Sequence, residues 1–432
     1  MQASLLSLSI AIFAGLMLSR LAKLVKLPAV TAYLVAGILI GPYVLGSFDI
    51  KGLGFVSMSD IESYKIISDV ALGFIAFSIG NEFRLSQIKE IGKKATVIGI
   101  FQAVTATVLV DAALIGLHFA MPEKLPLPSA IILGAVASAP APAATLMVVR
   151  QYKAKGPLTS LLLPIVALDD AVGLILFAVS FGVAKALLLG HIDAISIIVE
   201  PVLEVVLSLG LGALMGALFS FFEKFFHSRS KRMAMSVCFL LMTVSLSTIK
   251  FPVFGVNIAF SSLLTCMMLG SVFCNICDFS EELMERIDRW SAPLLILFFV
   301  ISGAELELSV FTDVMIVLIG IVYIIMRSCG KYFGTYFSAK AVGCDKNVVR
   351  YLGITLLPQA GVALGMALKA EEIGPEGSVV ANITLFSVLI YELVGPYLTK
   401  ISLMKAGEIR PEGKVSAREE HMKKKLLHHK NT

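Results

Sequence analysis

Two carboxylates stand side by side in an apolar run, Val166-Ala167-Leu168-Asp169-Asp170-Ala171-Val172-Gly173. In a lipid-buried helix each costs about several kcal/mol if charged and unpaired, so each needs a partner, a cation or a proton. Adjacent positions on a helix point about 100° apart, which lets one acid face a water-filled cavity while the other faces a packed neighbour. The candidate counter-charges are Arg327 and Lys331, four residues apart in another apolar run and hence on one helix face. Two acids against two bases at mid-membrane point to an ion or proton pathway, with a structural ion pair as the plainer reading. Spacing leaves open which base serves which acid.

Helix breakers mark two further places. Ser138-Ala139-Pro140-Ala141-Pro142-Ala143-Ala144-Thr145 carries two prolines, each lacking a donor and pushing its predecessor out of helical geometry. Leu357-Pro358-Gln359-Ala360-Gly361 interrupts a later run at comparable depth. Inside lipid an unpaired backbone is tolerated only where it is buried in protein or lines a cavity. Two such breaks in oppositely directed segments are the sequence pointer to an inverted-repeat transporter with its site at the midplane; a pair of simple proline kinks is the competing reading.

The elements that must position these groups are membrane helices. Of 432 residues, 57% are hydrophobic and only 16% charged, with a mean hydropathy of +0.88; a soluble domain carries about a quarter charged residues. The runs are too long for barrel strands, which span the bilayer in about 10 alternating residues. An all-α polytopic protein follows, with thirteen spans near 3–19, 28–45, 62–80, 95–118, 128–149, 158–185, 195–222, 232–249, 253–274, 290–304, 312–336, 349–369 and 378–399. The first run lacks a basic leader and a small-residue cleavage site, and is expected to stay as a span. Alternate connections, together with the tail, hold 28 Lys and Arg against six on the other side (Lys51, Lys65, Lys124, Lys185, Lys250, Lys369). The positive-inside rule then places the N-terminus outside and the C-terminus in the cytoplasm.

Other classes find little support. The net charge of +5 is spread over loops and a basic tail with Lys423, Lys424 and Lys425, which suits anionic lipid better than nucleic acid. Cys274-Asn275-Ile276-Cys277 is a lone CxxC, no HExxH occurs, and the tail holds no GxGxxG, so neither a bound metal nor a cofactor is expected. Asp69, Asp111, Asn257 and Glu392 are isolated polar residues in or near spans, and Glu305 and Glu307 sit at the outer end of the tenth. The two acids are adjacent on one helix and no GxGD-like sequence is present, which argues against an intramembrane aspartyl protease. A channel-like or structural subunit has no use for paired breaks. No catalysed reaction is expected.

The stretch from Ser138 to Gly173, with Pro142-Ala143-Ala144-Thr145, Lys155-Gly156-Pro157 and Leu168-Asp169-Asp170, together with a basic residue in span 11 and a broken span 12, resembles the monovalent cation:proton antiporter superfamily, specifically its second branch of bacterial Na⁺/H⁺ and K⁺/H⁺ antiporters. That resemblance covers the chain to about residue 400. It implies two inverted five-helix repeats, a homodimer, and a dimerisation panel over 1–80 and 231–306. It also implies an ion-translocating core over 94–190 and 311–400, a linking helix over 191–230, and a cytoplasmic tail over 401–432. By the same resemblance Asp170 binds the cation, Asp169 pairs with Arg327 or Lys331, and two acids imply electrogenic exchange. The sequence departs from many relatives in having Ser138-Ala139-Pro140-Ala141-Pro142 where they have Ser-Ala-Thr-Asp-Pro, so Thr145 or backbone carbonyls of the break are left to supply ligands. Gln359 stands where some relatives carry a base. The implied activity is exchange of protons for Na⁺, with Li⁺ or K⁺ as further candidates; the alternative is a cation-coupled organic solute transporter on the same scaffold.

Overall fold

The computed structural model describes residues 2–24, 27–48, 50, 54–81, 85–189, 200–249, 251–253, 256–277, 280–306 and 312–409. Glu307, the start of the expected linking helix at 191–199 and the tail beyond 409 lie outside the described residues, as does the side chain of Asn257.

Because lipid offers no partners to a polar backbone, the apolar runs satisfy their own N–H and C=O groups as helices. In chain order these are α1 (Gln2–Leu24), α2 (Ala29–Ile40), the short α3 (Met58–Glu62), α4 (Lys65–Gly80) and α5 (Leu85–Ala120). A helix in two halves follows, α6 (Leu127–Val136) and α7 (Pro142–Tyr152), then α8 (Pro157–Leu189), α9 (Glu200–Glu223), α10 (Arg229–Ser247), α11 (Ser262–Ile276), α12 (Ser280–Glu305) and α13 (Val314–Ala341). A second split helix, α14 (Lys346–Thr355) and α15 (Gly361–Ala370), precedes α16 (Pro375–Lys405). Both interruptions fall where the prolines put them, and Pro142 occupies the first turn of α7, where its missing N–H costs nothing.

Seven helices among the described residues (α1, α5, α8, α9, α12, α13 and α16) are long and apolar enough to cross a membrane, and α2, α6 and α11 are shorter apolar helices. One expectation is corrected. The ninth span, placed at 253–274, begins instead with a two-stranded antiparallel ribbon, β1 (Phe251–Val253) and β2 (Val256–Ile258), in the register Phe251 to Ile258, Pro252 to Asn257 and Val253 to Val256. Pro252 lacks a donor and is flanked by aromatic and β-branched residues, a composition that favours an edge strand over a helix.

Glycine positions show how the repeats are built. A Cβ on Gly37 of α2 would meet the Val300 carbonyl of α12, and one on Gly303 of α12 would meet the Leu34 carbonyl of α2. The same reciprocity joins α4 and α11, where Gly80 lies on the Met267 carbonyl and Gly270 on the Phe77 carbonyl. In each helix the glycine follows its partner's contact residue by three positions, so the crossing of α2 with α12 repeats in that of α11 with α4. A third close crossing joins α5 and α13 through Gly330-Lys331-Tyr332-Phe333-Gly334: a Cβ on Gly330 would lie 2.5 Å from Ala106 Cα and one on Gly334 2.8 Å from Gln102 Cα. Such small-residue pairs let membrane helices approach backbone to backbone.

Gly303→Ala is therefore expected to lower the melting temperature of the detergent-solubilised protein, since forcing a methyl into a packed crossing costs about 1–3 kcal/mol. Gly116→Ala, at a position with nothing within 4 Å of the added carbon, leaves it unchanged. Thermal melts followed by size-exclusion chromatography check the contrast.

Candidate functional site

Asp169 and Asp170 lie in α8, and both are buried, at 0% and 2% exposure. Their surroundings differ as the angle between helix neighbours requires. Asp169 accepts from Lys331 Nζ at 2.9 Å and from Gln102 Nε2, so an ammonium and an amide take its oxygens. Both carboxylate oxygens of Asp170 are buried without a hydrogen-bond partner. The crossing of α5 with α13 explains the first set. Gln102 and Lys331 sit at the paired small residues where the two helices come closest, and both side chains are delivered to one carboxylate of α8.

Arg327 lies one turn from Lys331 on α13, fully buried, and its three hydrogen bonds go to backbone carbonyls and not to either acid. Its Nε donates to the Ala137 carbonyl at 2.9 Å and its Nη2 to that of Ala139 at 2.8 Å. Its Nη1 donates to the Leu357 carbonyl at 2.6 Å. The guanidinium carbon Cζ lies 4.5 Å from the centroid of the Tyr391 ring, on the α16 side; Tyr391 in turn donates to the Ile324 carbonyl at 2.8 Å. A helix C-terminus ends in unsatisfied carbonyls and carries partial negative charge. One arginine therefore ties together the C-terminal ends of α6 and α14, which approach each other from opposite directions. The sequence left Arg327 and Lys331 as equal candidates for Asp169; the structure gives Asp169 to Lys331 and Arg327 to the breaks.

The break carbonyls are largely committed. Lys331 Nζ also donates to the Ser138 carbonyl at 2.7 Å, so those of Ala137, Ser138 and Ala139 are all held by fixed cations. Each of these three carbonyls accepts one such donor and keeps a second lone pair. The Ser138 hydroxyl turns back to the Ala135 carbonyl at 2.7 Å. Thr145 is buried in the first turns of α7, and Ala141, Ala143 and Ala144 there share a packed cluster with Leu163 and Ala167 of α8. Asp170 stands three residues beyond Ala167, on a neighbouring part of that face.

Gln359, in the second break, forms another cross-link. Its Nε2 donates to the Val136 carbonyl at the end of α6 and to the Tyr323 hydroxyl, each at 2.9 Å, while Ser387 of α16 donates to its Oε1 at 3.2 Å. Pro358 packs against α16 at Gly395, where an added Cβ would lie 2.9 Å from the proline ring. Gly361 opens α15 with no atom within 4 Å of an added Cβ, so its role is confined to the backbone. Pro140 stays in the interval between α6 and α7.

The sequence reading missed Gln102, Tyr323, Ser387 and Tyr391. Gln102 carried a signal, an amide inside an otherwise apolar span, but the rest are ordinary in membrane helices until a partner is known. Also missed was Glu408, beyond α16. Its carboxylate accepts from the Leu158 N–H at 2.6 Å, the Thr159 N–H at 2.8 Å and the Thr159 hydroxyl at 2.5 Å. These are donors of the first turn of α8, the helix that carries both acids, where an acidic cap is favoured. Glu408→Ala is expected to cost about 1 kcal/mol of stability, read as a lower melting temperature, with Glu408→Gln retaining part of the capping.

Two crossed broken helices around a buried carboxylate define a secondary ion transporter of the inverted-repeat type. The chain belongs to the sodium/hydrogen exchanger transmembrane family, whose profile matches residues 8–405. It is 24% identical over 388 residues, 87% of this chain and 91% of the relative, to the Na⁺/H⁺ antiporter NhaS4 of Synechocystis sp.. Its fold is that of the sodium proton antiporter MjNhaP1 of Methanocaldococcus jannaschii: a structure at pH 8 superposes with a TM-score of 0.61 at 20% identity, covering 94% of this chain and 96% of that one. An electron-microscopy structure of the same antiporter gives 0.65 at 15% identity, covering 93% and 94%.

Proposed function

We propose that the protein exchanges protons for a monovalent cation, Na⁺ first with Li⁺ and K⁺ as further candidates, and that Asp170 carries the exchanged ion. The observation that supports this most is the inequality of the two acids: Asp169 is fully partnered, whereas both oxygens of Asp170 are buried with none. A carboxylate so placed demands a positive charge, and it holds either a proton or a bare monovalent cation, not both. Competition for one carboxylate is a sufficient coupling device: high proton activity on one face loads the proton, high cation activity on the other displaces it. Thr145, buried in α7, is the hydroxyl offered as a further ligand.

Electrogenic exchange follows if the Lys331–Asp169 pair opens during the cycle and releases a second proton. Arg327 is committed to the carbonyls of the two breaks and stands outside that pair. In this reading α5 to α8 and α13 to α16 form the moving bundle (94–190 and 311–400), and α1 to α4 with α10 to α12 the dimerising panel (1–80 and 231–306). Contacts that bridge them must then break and reform. Arg150 at the end of α7 meets Asp288 of α12 at 2.5 Å, and the Ala29 N–H of α2 donates to Gln151 at 2.8 Å. The C-terminus is placed in the cytoplasm of an inner membrane and the working unit is a homodimer.

The test is proton movement in everted vesicles: Na⁺, Li⁺, K⁺ or choline added to a pre-acidified lumen between pH 6.5 and 9. Release of the gradient by a small cation and not by choline is the expected result and names the ion. No response to any cation at any pH overturns the reading.

A further inference from the structure

The panel and the bundle meet along a seam, and α7 runs in it. Around its N-terminus Ala143, Ala144 and Leu146 belong to the packed cluster that holds Phe77 of α4 and Ile287 of α12. Toward its C-terminus Val148, Val149 and Tyr152 belong to another cluster, with Leu352 of α14 and Leu403 of α16. The last turn also sends two polar side chains to the panel. Arg150 meets Asp288 of α12 at 2.5 Å, and the Ser78 hydroxyl of α4 donates to the same carboxylate oxygen at 3.4 Å. Gln151 accepts from the Ala29 N–H at 2.8 Å, a first-turn donor of α2 that has no partner within its own helix.

The two ends of the seam are built differently. Arg150, Gln151, Ala29 and Asp288 stand at the end that carries basic connections, Arg20 to Lys26 before α2 and Lys153 to Lys155 after α7. The positive-inside rule puts that end in the cytoplasm. Farther along the same panel helices the contact is apolar: Ile38 of α2 and Leu306, just past α12, join the buried cluster of Phe177 in α8 and Val388 in α16. At 1.5 Å per residue they lie about 14 and 27 Å beyond Ala29 and Asp288. Apolar surfaces attract without a preferred geometry and slide past one another; an ion pair is either made or broken.

We propose that Arg150 and Asp288 are positioning residues of the exchange, a latch on the inner end of the seam: made, the pair shuts Asp170 off from the cytoplasm; broken, it lets the bundle open to that side. The coupling runs through α7. Its 11 residues span about 16 Å, with the first break at one end and the latch at the other. The break is in touch with the helix of the acids: a Cβ on Gly173, three residues past Asp170, would lie 3.2 Å from the Ser138 hydroxyl. A shift of the bundle that re-aims the break therefore draws Arg150 off Asp288, and Gln151 leaves Ala29 with it. The latch rests on the exchange, the orientation and the division into panel and bundle proposed above.

The experiment measures the apparent KM for the responding cation from each face, in right-side-out and everted vesicles. The proteins are wild type, Asp288→Asn, Arg150→Gln and the exchanged pair Arg150→Asp with Asp288→Arg. A site open to one face for a fraction of the time binds from that face with an affinity reduced by that fraction. A partly exposed ion pair biases such an equilibrium by up to about fivefold. Each single variant is therefore expected to lower the inner-face KM about threefold and to leave the outer-face KM the same or higher, and the exchanged pair returns both toward wild type. Gln151→Leu keeps both charges, is expected to act in the same direction, and carries the test if loss of either charge prevents folding. An inner-face KM equal to or above wild type in the variants, or an equal change from both faces, overturns the latch. Hydrogen exchange on the same purified proteins needs no transport: faster deuterium uptake in α7 and the first turn of α2 is expected in Asp288→Asn, and unchanged uptake overturns the latch. A wild type that moves no cation overturns the exchange reading instead, and the latch is then decided by hydrogen exchange alone.

Discussion

Asp170→Asn abolishes cation-dependent proton movement and leaves the protein at least as stable as wild type; Asp169→Asn destabilises it. The two substitutions are chemically identical and one residue apart, so the opposite signs come from surroundings alone. Asp170 has no donor on either oxygen, and an ionised carboxylate in that condition is a burden on the fold that only a proton or a cation relieves. An amide of the same shape removes the burden and the function together, the usual exchange of stability against activity at a strained site. Asp169, by contrast, closes a buried pair with Lys331 at 2.9 Å and accepts from Gln102. Removing its charge leaves an uncompensated ammonium, and breaking a buried pair from one side costs about 3–5 kcal/mol. The check is a melt of both purified variants beside the vesicle assay. Residual exchange by Asp170→Asn, or a melting temperature well below wild type, sinks the assignment.

The parts of the site that the sequence revealed are those that violate the rules of the bilayer. Asp169 and Asp170 in an apolar run, and Pro140, Pro142 and Pro358 inside spans, are conspicuous because lipid penalises each one by itself. What stayed hidden depends on pairs. Arg327 and Lys331 share a helix face, and only the crossing of α5 with α13 separates their tasks, by setting Lys331 level with Asp169 and Arg327 level with the breaks. The glycines at 37, 80, 270 and 303 were unremarkable singly, since glycine is common in membrane helices; their meaning lies in the reciprocal contacts of Gly37 with Val300 and Gly270 with Phe77. The ribbon at 251–258 was lost in an apolar run because a short stretch of such residues reads equally as strand or helix.

Arg327→Lys is the substitution expected to damage the fold most for the least change in charge. Three carbonyls on two separate chain segments, those of Ala137, Ala139 and Leu357, are held by three different nitrogens of one planar group. A lysine has one nitrogen at the end of a shorter reach and cannot stand at three positions fixed by a fork. Each buried carbonyl left without a donor costs about 1–3 kcal/mol, so two orphaned carbonyls account for roughly 2–6 kcal/mol, with the Tyr391 ring losing its stacked partner as well. Membrane yield and melting temperature are expected to drop sharply. Exchange should be lost even in the fraction that folds, because the two half-helix ends that frame Asp170 are no longer tied. Gln359 makes the argument separable: it bridges the same two breaks through the Val136 carbonyl and the Tyr323 hydroxyl. If the two side chains act on one junction, Gln359→Leu and Arg327→Lys together cost less than the sum of the two alone. Strict additivity would mean that the breaks are held independently, and that Arg327 serves α6 and α14 without joining them.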